Sequence, residues 1–312
     1  MQKFEQKTMK IAAIVVTYNR KQLLEKCLLS ISKQSHPVTS IIVVDNNSSD
    51  NTYEWFETSS FNTTENTYIH LNENTGGAGG FWHGLKHSTE ADYDLAWIMD
   101  DDANPELNAL EELLKIATSK NNIYGSIAAF GQHTSWPTTV IDTLGNKTLI
   151  KEVKKIPNQA TVQFLPFLGL LIHKEIISKI GLPKKEFFLA ADDVEYCMRA
   201  QRNNINIVAC SDSIINHPKA DTYVVHFLGV QICCLKLSPW KRYYDTRNRL
   251  FIAKEYYGYK WITQTIPGSF LRLFATLYKE PERLKQLWAF IAGFVDGILG
   301  RAGMRHTHWK IK

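Results

Sequence analysis

Apolar runs that end abruptly in polar or acidic residues recur along the first two thirds of the chain, most of them followed by a segment of helical periodicity. Ile11-Ala12-Ala13-Ile14-Val15-Val16 closes in Thr17-Tyr18-Asn19-Arg20, after which Leu23, Leu24, Cys27, Leu28 and Ile31 recur at helical spacing. Ile41-Ile42-Val43-Val44 repeats the plan, closing in Asp45-Asn46-Asn47-Ser48-Ser49-Asp50 before a helix that carries Trp55 and Phe56. Tyr68-Ile69-His70-Leu71 is a third short strand, closed by Asn72-Glu73-Asn74-Thr75-Gly76-Gly77-Ala78-Gly79-Gly80, and Leu95-Ala96-Trp97-Ile98-Met99 is a fourth, ended by Asp100-Asp101-Asp102. Alternating strands and helices predict an α/β fold with a mostly parallel central sheet flanked by helices. The polar strand ends then share the carboxyl edge, where open α/β sheets bind their ligands. Pro105, with Leu107, Leu110, Leu113 and Leu114 behind it, predicts a helix directly after the acids.

From Tyr124 to Phe164 the pattern weakens into short β-like pieces, then Phe164–Ile172 supplies a buried segment and Lys174–Ile180 a short helix ended by Gly181-Leu182-Pro183. Phe187-Phe188-Leu189-Ala190-Ala191 leads into a second acidic group, Asp192, Asp193 and Glu195, at the start of a helix through Arg199. Ile205–Ala209 is a last strand, with Ile214-Ile215-Asn216-His217-Pro218 after it. Beyond Asp221 the composition turns aromatic and basic, and its most apolar parts, Val224–Leu237 and Leu287–Leu299, are too short or interrupted to span a bilayer. The organisation read from this is a polar leader over 1–9, an α/β domain over 10–220 that divides at about 105/106, and a mainly helical C-terminal region over 221–312.

Three consecutive aspartates repel one another, so the strand end at Asp100–Asp102 calls for a cation; hard ions such as Mg²⁺ or Mn²⁺ take carboxylate and phosphate oxygens. The plainer reading is an exposed acidic turn. Adjacent Asp192 and Asp193 below an aromatic segment can have their pKa values pushed apart, as a general base requires; first-turn acids also serve a helix start without any chemistry. His217 suits a structural role or, with carboxylates, an Mn²⁺ shell. Thr17 and Arg20 can meet a base or phosphate, and Asp45 can accept from a base or ribose. The glycine stretch lets backbone N–H groups approach an anion at a helix start, although it is not a dinucleotide fingerprint.

With 312 residues the chain holds one large domain or two smaller ones, and its net charge of +5 is mildly basic. Nucleic acid is not the expected partner, because the basic and aromatic residues lie in apolar segments and not in a phosphate-tracking stripe. Five cysteines without metal-ligand spacing read as reduced thiols of a cytosolic protein. Met1–Lys10 lacks the apolar core of a secretory signal.

Taken together, IVVTYNR, VVDNNSSD, NTGGAGGF, WIMDDDANP, AADDVEYCMR and INHP, in order from Ile14 to Pro218, resemble the family 2 glycosyltransferases of GT-A fold. The triple aspartate, the glycine loop and Tyr243-Tyr244-Asp245-Thr246-Arg247-Asn248-Arg249 look most like bacterial galactofuranosyltransferases; rhamnosyltransferases share much of the pattern. The resemblance implies a catalytic domain over 10–220 with a nucleotide half to about 105 and an acceptor half from 106, a nucleotide-sugar donor, Mn²⁺ or Mg²⁺, and inversion at the anomeric carbon. It implies a metal held by Asp100, Asp102 and His217, and a donor pocket of Thr17, Arg20, Asp45, Asn47, Asn74, Gly76, Gly77, Asp100 and Asp101, with Arg247 reaching a phosphate. Asp193 is then the general base, with Asp192 and Glu195 positioning hydroxyls. The family's acceptor-region tryptophan pair is replaced here by Phe167-Leu168-Gly169, which leaves the acceptor open. The expectation is transfer from UDP-galactofuranose, or alternatively dTDP-rhamnose, to a glycan or lipid-linked glycan, in the cytoplasm and peripheral on the inner face of the cell membrane. The aromatic and basic C-terminal region supplies membrane contact or, alternatively, a homo-oligomer contact. A nucleotidyltransferase would carry a glycine-rich basic loop where TYNRKQLL stands, and a non-catalytic glycan-binding scaffold would not need both acidic groups.

Overall fold

The structure is a computed structural model that describes residues 9–227 and 229–312; apart from Met9, the polar leader expected over 1–9 lies outside the described residues. The chain forms two compact units. The first contains the residues up to Asn74, Gly80–Leu182 and Arg199–Pro218; the second contains Thr75–Gly79, Pro183–Met198 and Lys219–Lys312. Residues 183–198, expected with the acceptor half, thus belong to the second unit.

The first unit opens with β1 (Ile11–Thr17), α1 (Lys21–Ser32), β2 (Ser40–Asp45), α2 (Thr52–Thr58), β3 (Thr67–His70), α3 (Gly76–Glu90) and β4 (Leu95–Asp100), as the periodicity predicts. Every residue of β1 and β2 is buried, which is why these strands read as continuous apolar runs and not as alternating ones. β1 runs parallel to β2 and β4, and β2 parallel to β3. Registers of Thr17 with Asp45 and Val16 with Asp100 bring the strand ends level, so their polar residues emerge along one edge. Trp97 of β4, fully buried, packs in a core to which α1 contributes Leu24, Cys27, Leu28 and Ile31.

Next come β5 (Asn104–Pro105), α4 (Ala109–Ile116), β6 (Asn122–Phe130), β7 (His133–Ile141), β8 (Lys147–Glu152), β9 (Gln159–Thr161), β10 (Leu168–His173), α5 (Lys174–Ile180), α6 (Asp192–Arg202) and β11 (Asn206–Asn216). Among the described residues eleven strands join one sheet, whose main path is β3-β2-β1-β4-β10-β6-β11-β5. The sheet is parallel through β3-β2-β1-β4 and again between β6 and β11, while β10 is antiparallel to both its neighbours. One expectation is corrected: Pro105 does not open the helix. Asn104 and Pro105 pair antiparallel with Asn216 and Ile215, and α4 starts at Ala109. Proline is tolerated there because β5 is the edge strand, where a missing N–H costs no ladder bond. This bridge carries the acidic turn to the residues just before His217.

In the second unit, β12 (Thr222–Phe227) and β13 (Val230–Leu235) pair antiparallel, and α7 (Pro239–Tyr256), a π-helical turn (Trp261–Thr265), α8 (Ile266–Lys279) and α9 (Arg283–Leu299) follow. The region is mainly helical as expected, but the apolar stretch from Val224 is a strand pair, with Val225, Ile232 and Cys234 packed against Ala275 of α8. Gly293 and Gly297 let α9 lie directly on α7: a Cβ at Gly293 would come within 2.4 Å of the Tyr243 carbonyl oxygen. Asp296, fully buried beside them, accepts from Tyr243 Oη (2.6 Å), Arg305 Nε (2.9 Å) and Trp309 Nε1 (2.8 Å). No helix among the described residues is long and apolar enough to cross a membrane.

Candidate functional site

In the first unit the strand ends gather Thr17, Arg20, Asp101, Asp102 and His217 into one hydrogen-bonded chain. Thr17 Oγ1 donates to Asp101 Oδ2 at 2.8 Å, and Arg20 Nη1 donates to Asp101 Oδ1 at 3.3 Å and Asp102 Oδ2 at 3.0 Å. Asp101 is buried, which pushes its carboxyl up to about 6 even though Thr17 and Arg20 favour the ionised form. Burial also opposes ionisation of Asp102, but hydrogen bonding and attraction from His217 and Arg20 outweigh it and hold the group below the usual carboxylate range. Asp100, half-buried, ends β4 immediately before them.

His217 is held by its own backbone, whose N–H donates to the Ala129 carbonyl (2.9 Å) and whose carbonyl accepts from Ser135 Oγ (2.9 Å). Its ring lies 4.8 Å from that of Trp136. Nδ1 is 2.7 Å from the Pro218 carbonyl oxygen, which can only accept, so Nδ1 carries a proton. In the neutral ring Nε2 therefore keeps its lone pair, and it points at Asp102 Oδ1 from 3.4 Å. Two acceptors facing each other at that distance need a positive centre between them, either a proton or a cation. A carboxylate oxygen and an imidazole nitrogen are suitable donors for Mn²⁺ or Mg²⁺, so the pair fits the implied ion. Asp100 does not complete the set: among the described residues no three His, Cys, Asp or Glu side chains gather as a cation site.

Asp45 sits otherwise than expected. It is fully buried and accepts from the Ser48 N–H (2.9 Å), Tyr68 Oη (2.7 Å) and His70 Nδ1 (3.2 Å). The groups that β3 and α2 leave exposed beside it are His70 and Tyr53, with ring centroids 6.1 Å apart. Reading along the chain missed His70, although its place at the last position of a strand was a signal. Asn47, exposed and left-handed (φ 64°), donates Nδ2 to the Asn72 carbonyl at 3.4 Å. Asn74 is half-buried as the last residue of the first unit's opening segment, and Phe167 packs at 4.8 Å from Phe81 inside that unit.

In the second unit, Gly76 and Gly77 are the first residues of α3 and not a loop before it. Gly76 has φ +72°, and a Cβ there would lie 2.0 Å from the Phe188 carbonyl oxygen. That carbonyl accepts from Ala78 N–H at 3.2 Å, so one N–H of the helix start is already committed. The Phe188 segment is itself unusual: Phe188, Ala190 and Ala191 all have positive φ (63°, 69° and 62°). Such backbone persists only where its surroundings impose it.

Asn248 and Arg247 of α7 impose it. Asn248 Nδ2 reaches the carbonyls of Phe187 (3.0 Å), Leu189 (2.7 Å) and Ala190 (2.8 Å). Arg247, expected at a donor phosphate, is fully buried and donates to the carbonyls of Phe187 (2.8 Å) and Gly303 (2.6 Å). Its place is under the segment that leads into Asp192 and Asp193. Asp192 is buried and Asp193 half-buried at the first turn of α6, where Asp193 Oδ1 accepts from the Val194 N–H at 2.7 Å. Burial raises both carboxyls, and the Asp193 charge raises Asp192 further. Glu195 departs from its expected role: it is fully buried and accepts from Tyr256 Oη (2.7 Å) and Lys184 Nζ (3.2 Å), and Lys184 also pairs with Glu255.

This geometry can be set beside known proteins. Residues 12–181 match the family described as Glycosyl transferase family 2. The galactofuranosyltransferase GlfT1 of Mycolicibacterium smegmatis is 26% identical over 256 residues, covering 78% of this chain and 83% of that protein. The low-salt glycan biosynthesis hexosyltransferase Agl10 of Haloferax volcanii is 24% identical over 308 residues, covering 94% and 92%. The crystal structure of S. aureus TarS 1–349 superposes with a TM-score of 0.51 at 18% identity, over 97% of this chain and 75% of that one, a likeness of fold alone. With more than half its length in the match, and with acidic strand ends on a largely parallel sheet, the chain belongs to glycosyl transferase family 2 and is a nucleotide-sugar-dependent glycosyltransferase of GT-A fold.

Proposed function

We propose that this enzyme moves galactofuranose from UDP-galactofuranose to a hydroxyl of a lipid-linked glycan by a single displacement with inversion. The observation that carries the donor assignment is the likeness to GlfT1 along 78% of the chain. In this reading Asp193 takes the proton of the acceptor hydroxyl as its oxygen attacks the anomeric carbon, and the bond to the diphosphate breaks with UDP leaving. Burial raises the Asp193 carboxyl, which makes it a better base near neutral pH than a solvated one, and its charge raises neighbouring Asp192 in turn. Arg20, half exposed, and Thr17 orient Asp101 and Asp102 toward the donor, while Asn47, Asn74 and Gly77 border the nucleotide. Asp102 and His217 would hold Mn²⁺ or Mg²⁺; when bound, such an ion stabilises the departing diphosphate as a Lewis acid. Asp45 holds Tyr68 and His70 in the first unit, and Glu195 and Arg247 hold Tyr256 and the Phe187 carbonyl in the second.

Contact with the inner face of the cell membrane is assigned to the exposed Ile262, Phe270, Phe274 and Tyr278 with Lys260 and Lys279 beside them. Aromatic bodies and cations together suit a headgroup layer. The test is metal-dependent binding and slow hydrolysis across UDP-galactofuranose, UDP-galactopyranose, UDP-glucose and dTDP-rhamnose, with thermal shifts recorded for Mn²⁺ alone. Preference for the furanose, with the Mn²⁺ shift lost in Asp102→Asn and His217→Ala, is the expected result. Preference for dTDP-rhamnose would move the donor assignment to rhamnosyl transfer, and absence of binding to any donor would overturn it.

A further inference from the structure

Residues 301–312 follow α9 as a series of turns, and they touch the segment that leads into Asp192 and Asp193. They are tied down first on their own side. Asp296 of α9 accepts from Arg305 Nε and Trp309 Nε1, Trp288 Nε1 donates to the Trp309 carbonyl at 3.0 Å, and Ile311 is buried with Tyr243, Ala289 and Ala292. Anchored in this way, the strap turns two groups toward the Phe188 segment. Gly303, left-handed at φ +80°, donates its N–H to the Glu186 carbonyl (2.7 Å) while its own carbonyl accepts from Arg247 Nη1 (2.6 Å). His306 Nδ1 lies 2.7 Å from Tyr244 Oη, and its ring centroid is 6.0 Å from that of Phe188 and 5.6 Å from that of Trp240. Tyr244 in turn stacks on Phe188 at 4.9 Å, with 25° between the planes.

Phe188 is the first of three left-handed residues that carry a Cβ, so the path into α6 is not one that its own backbone prefers. Asn248 holds carbonyls of this path; the Phe188 ring is met by Tyr244 and His306. The Arg305 and His306 N–H groups act on the Tyr244 oxygen, so the phenol's own hydrogen goes to His306 Nδ1, and the imidazole is the acceptor that sets the hydroxyl. We propose that residues 301–312 are a positioning strap for the acceptor-side carboxylates: His306, through Tyr244 and Phe188, and Gly303, through Glu186 and Arg247, hold the segment that aims Asp192 and Asp193. The effect on catalysis rests on the reading of Asp193 as the base, whereas the hold on the segment does not.

The test compares the full chain with His306→Ala, His306→Asn and Asp193→Asn. Asparagine sets an acceptor oxygen near the place of Nδ1, and alanine sets none. Three quantities are measured: UDP binding with Mn²⁺ by calorimetry, turnover of UDP-galactofuranose with water as acceptor, and amide hydrogen exchange over residues 186–193 by mass spectrometry. His306→Ala is expected to bind UDP as the wild type does, since Thr17, Arg20, Asp101 and Asp102 stand in the first unit. Its kcat should fall about ten- to hundredfold, the usual cost of a misplaced catalytic group. Exchange over 186–193 should be about tenfold faster, as a local opening and not a global one. His306→Asn should recover most of both losses. Wild-type exchange over 186–193 in His306→Ala overturns the strap, and so does faster exchange spread evenly over the chain with UDP binding lost. An inactive Asp193→Asn beside a fully active His306→Ala also overturns it. If Asp193→Asn itself turns over normally, the base reading fails instead, and exchange, which needs no donor, decides the strap: faster over 186–193 supports it, unchanged refutes it.

Discussion

Replacing Asn248 with alanine removes the clamp on the segment that aims Asp192 and Asp193. The Asn248 amide has two hydrogens for its three carbonyl contacts of 2.7, 2.8 and 3.0 Å, so it makes the equivalent of two good bonds. Each contributes about 1 kcal/mol net, and each buried carbonyl left bare costs about 1–3 kcal/mol more. Working against the clamp, left-handed backbone at Phe188, Ala190 and Ala191 stores roughly 1–2 kcal/mol per residue. Without Asn248 the Phe187 carbonyl keeps Arg247, the Phe188 carbonyl keeps the Ala78 N–H and the Ala191 carbonyl keeps the Glu195 N–H, so the loss falls on the Leu189 and Ala190 carbonyls between them. We expect a loss of about 2–4 kcal/mol in urea denaturation, new protease cleavage within 183–198, and a ten- to hundredfold fall in kcat with little change in donor KM. Adding Ala190→Gly should restore about 1 kcal/mol, since glycine accepts positive φ at little cost. If Asn248→Ala unfolds within about 0.5 kcal/mol of wild type and turns over normally, the clamp does not hold the segment.

The remaining expectations follow from single contacts. Gly76→Ala sets a Cβ 2.0 Å from the Phe188 carbonyl oxygen at φ +72°, and a loss of about 3 kcal/mol in thermal or urea unfolding is expected. Asp101, raised to about 6 in the folded protein, binds a proton more tightly there than in the unfolded chain. Its favourable contribution is therefore complete below the unfolded value of about 4 and lost as pH rises through 6, an effect on the order of 2–3 kcal/mol. Stability curves of wild type and Asp101→Asn should diverge across that window, the variant holding up better at pH 7; parallel curves would refute the shift. Because burial holds Asp192 and Asp193 above the ordinary carboxylate range, kcat/KM should rise with pH through that raised pair. Asp193→Asn should abolish the limb and cost about two to four orders of magnitude, whereas a limb near pH 4 would exclude the pair as base.

Much of the first unit was legible along the chain. β1, β2 and β4 are strands covered on both faces, so unbroken apolar runs mark them, and a polar residue at the end of such a run marks the sheet edge. Thr17, Arg20, Asp101 and Asp102 were recognisable as neighbours for that reason. Pairing of edge segments was not legible: two residues, Asn104 and Pro105, bridge to β11 where proline and leucines suggested a helix.

The amino-acid order by itself determined the βα alternation, the acidic strand ends and the two carboxylates that start α6, because strand burial and helix periodicity are written in spacings of a few residues. Only the tertiary structure decided which of those polar groups face outward. Asp45 turns inward because Tyr68 and His70 arrive from another strand to satisfy it. Arg247 and Asn248 sit in a run over 242–248 that is buried throughout, which no helical period predicts, because the carbonyls that pay for their burial belong to residues some sixty positions earlier. Two alanines are held left-handed with no glycine or asparagine to announce it. Local spacing encodes which elements form; where a buried polar group finds its partner is a property of chain segments that meet only on folding.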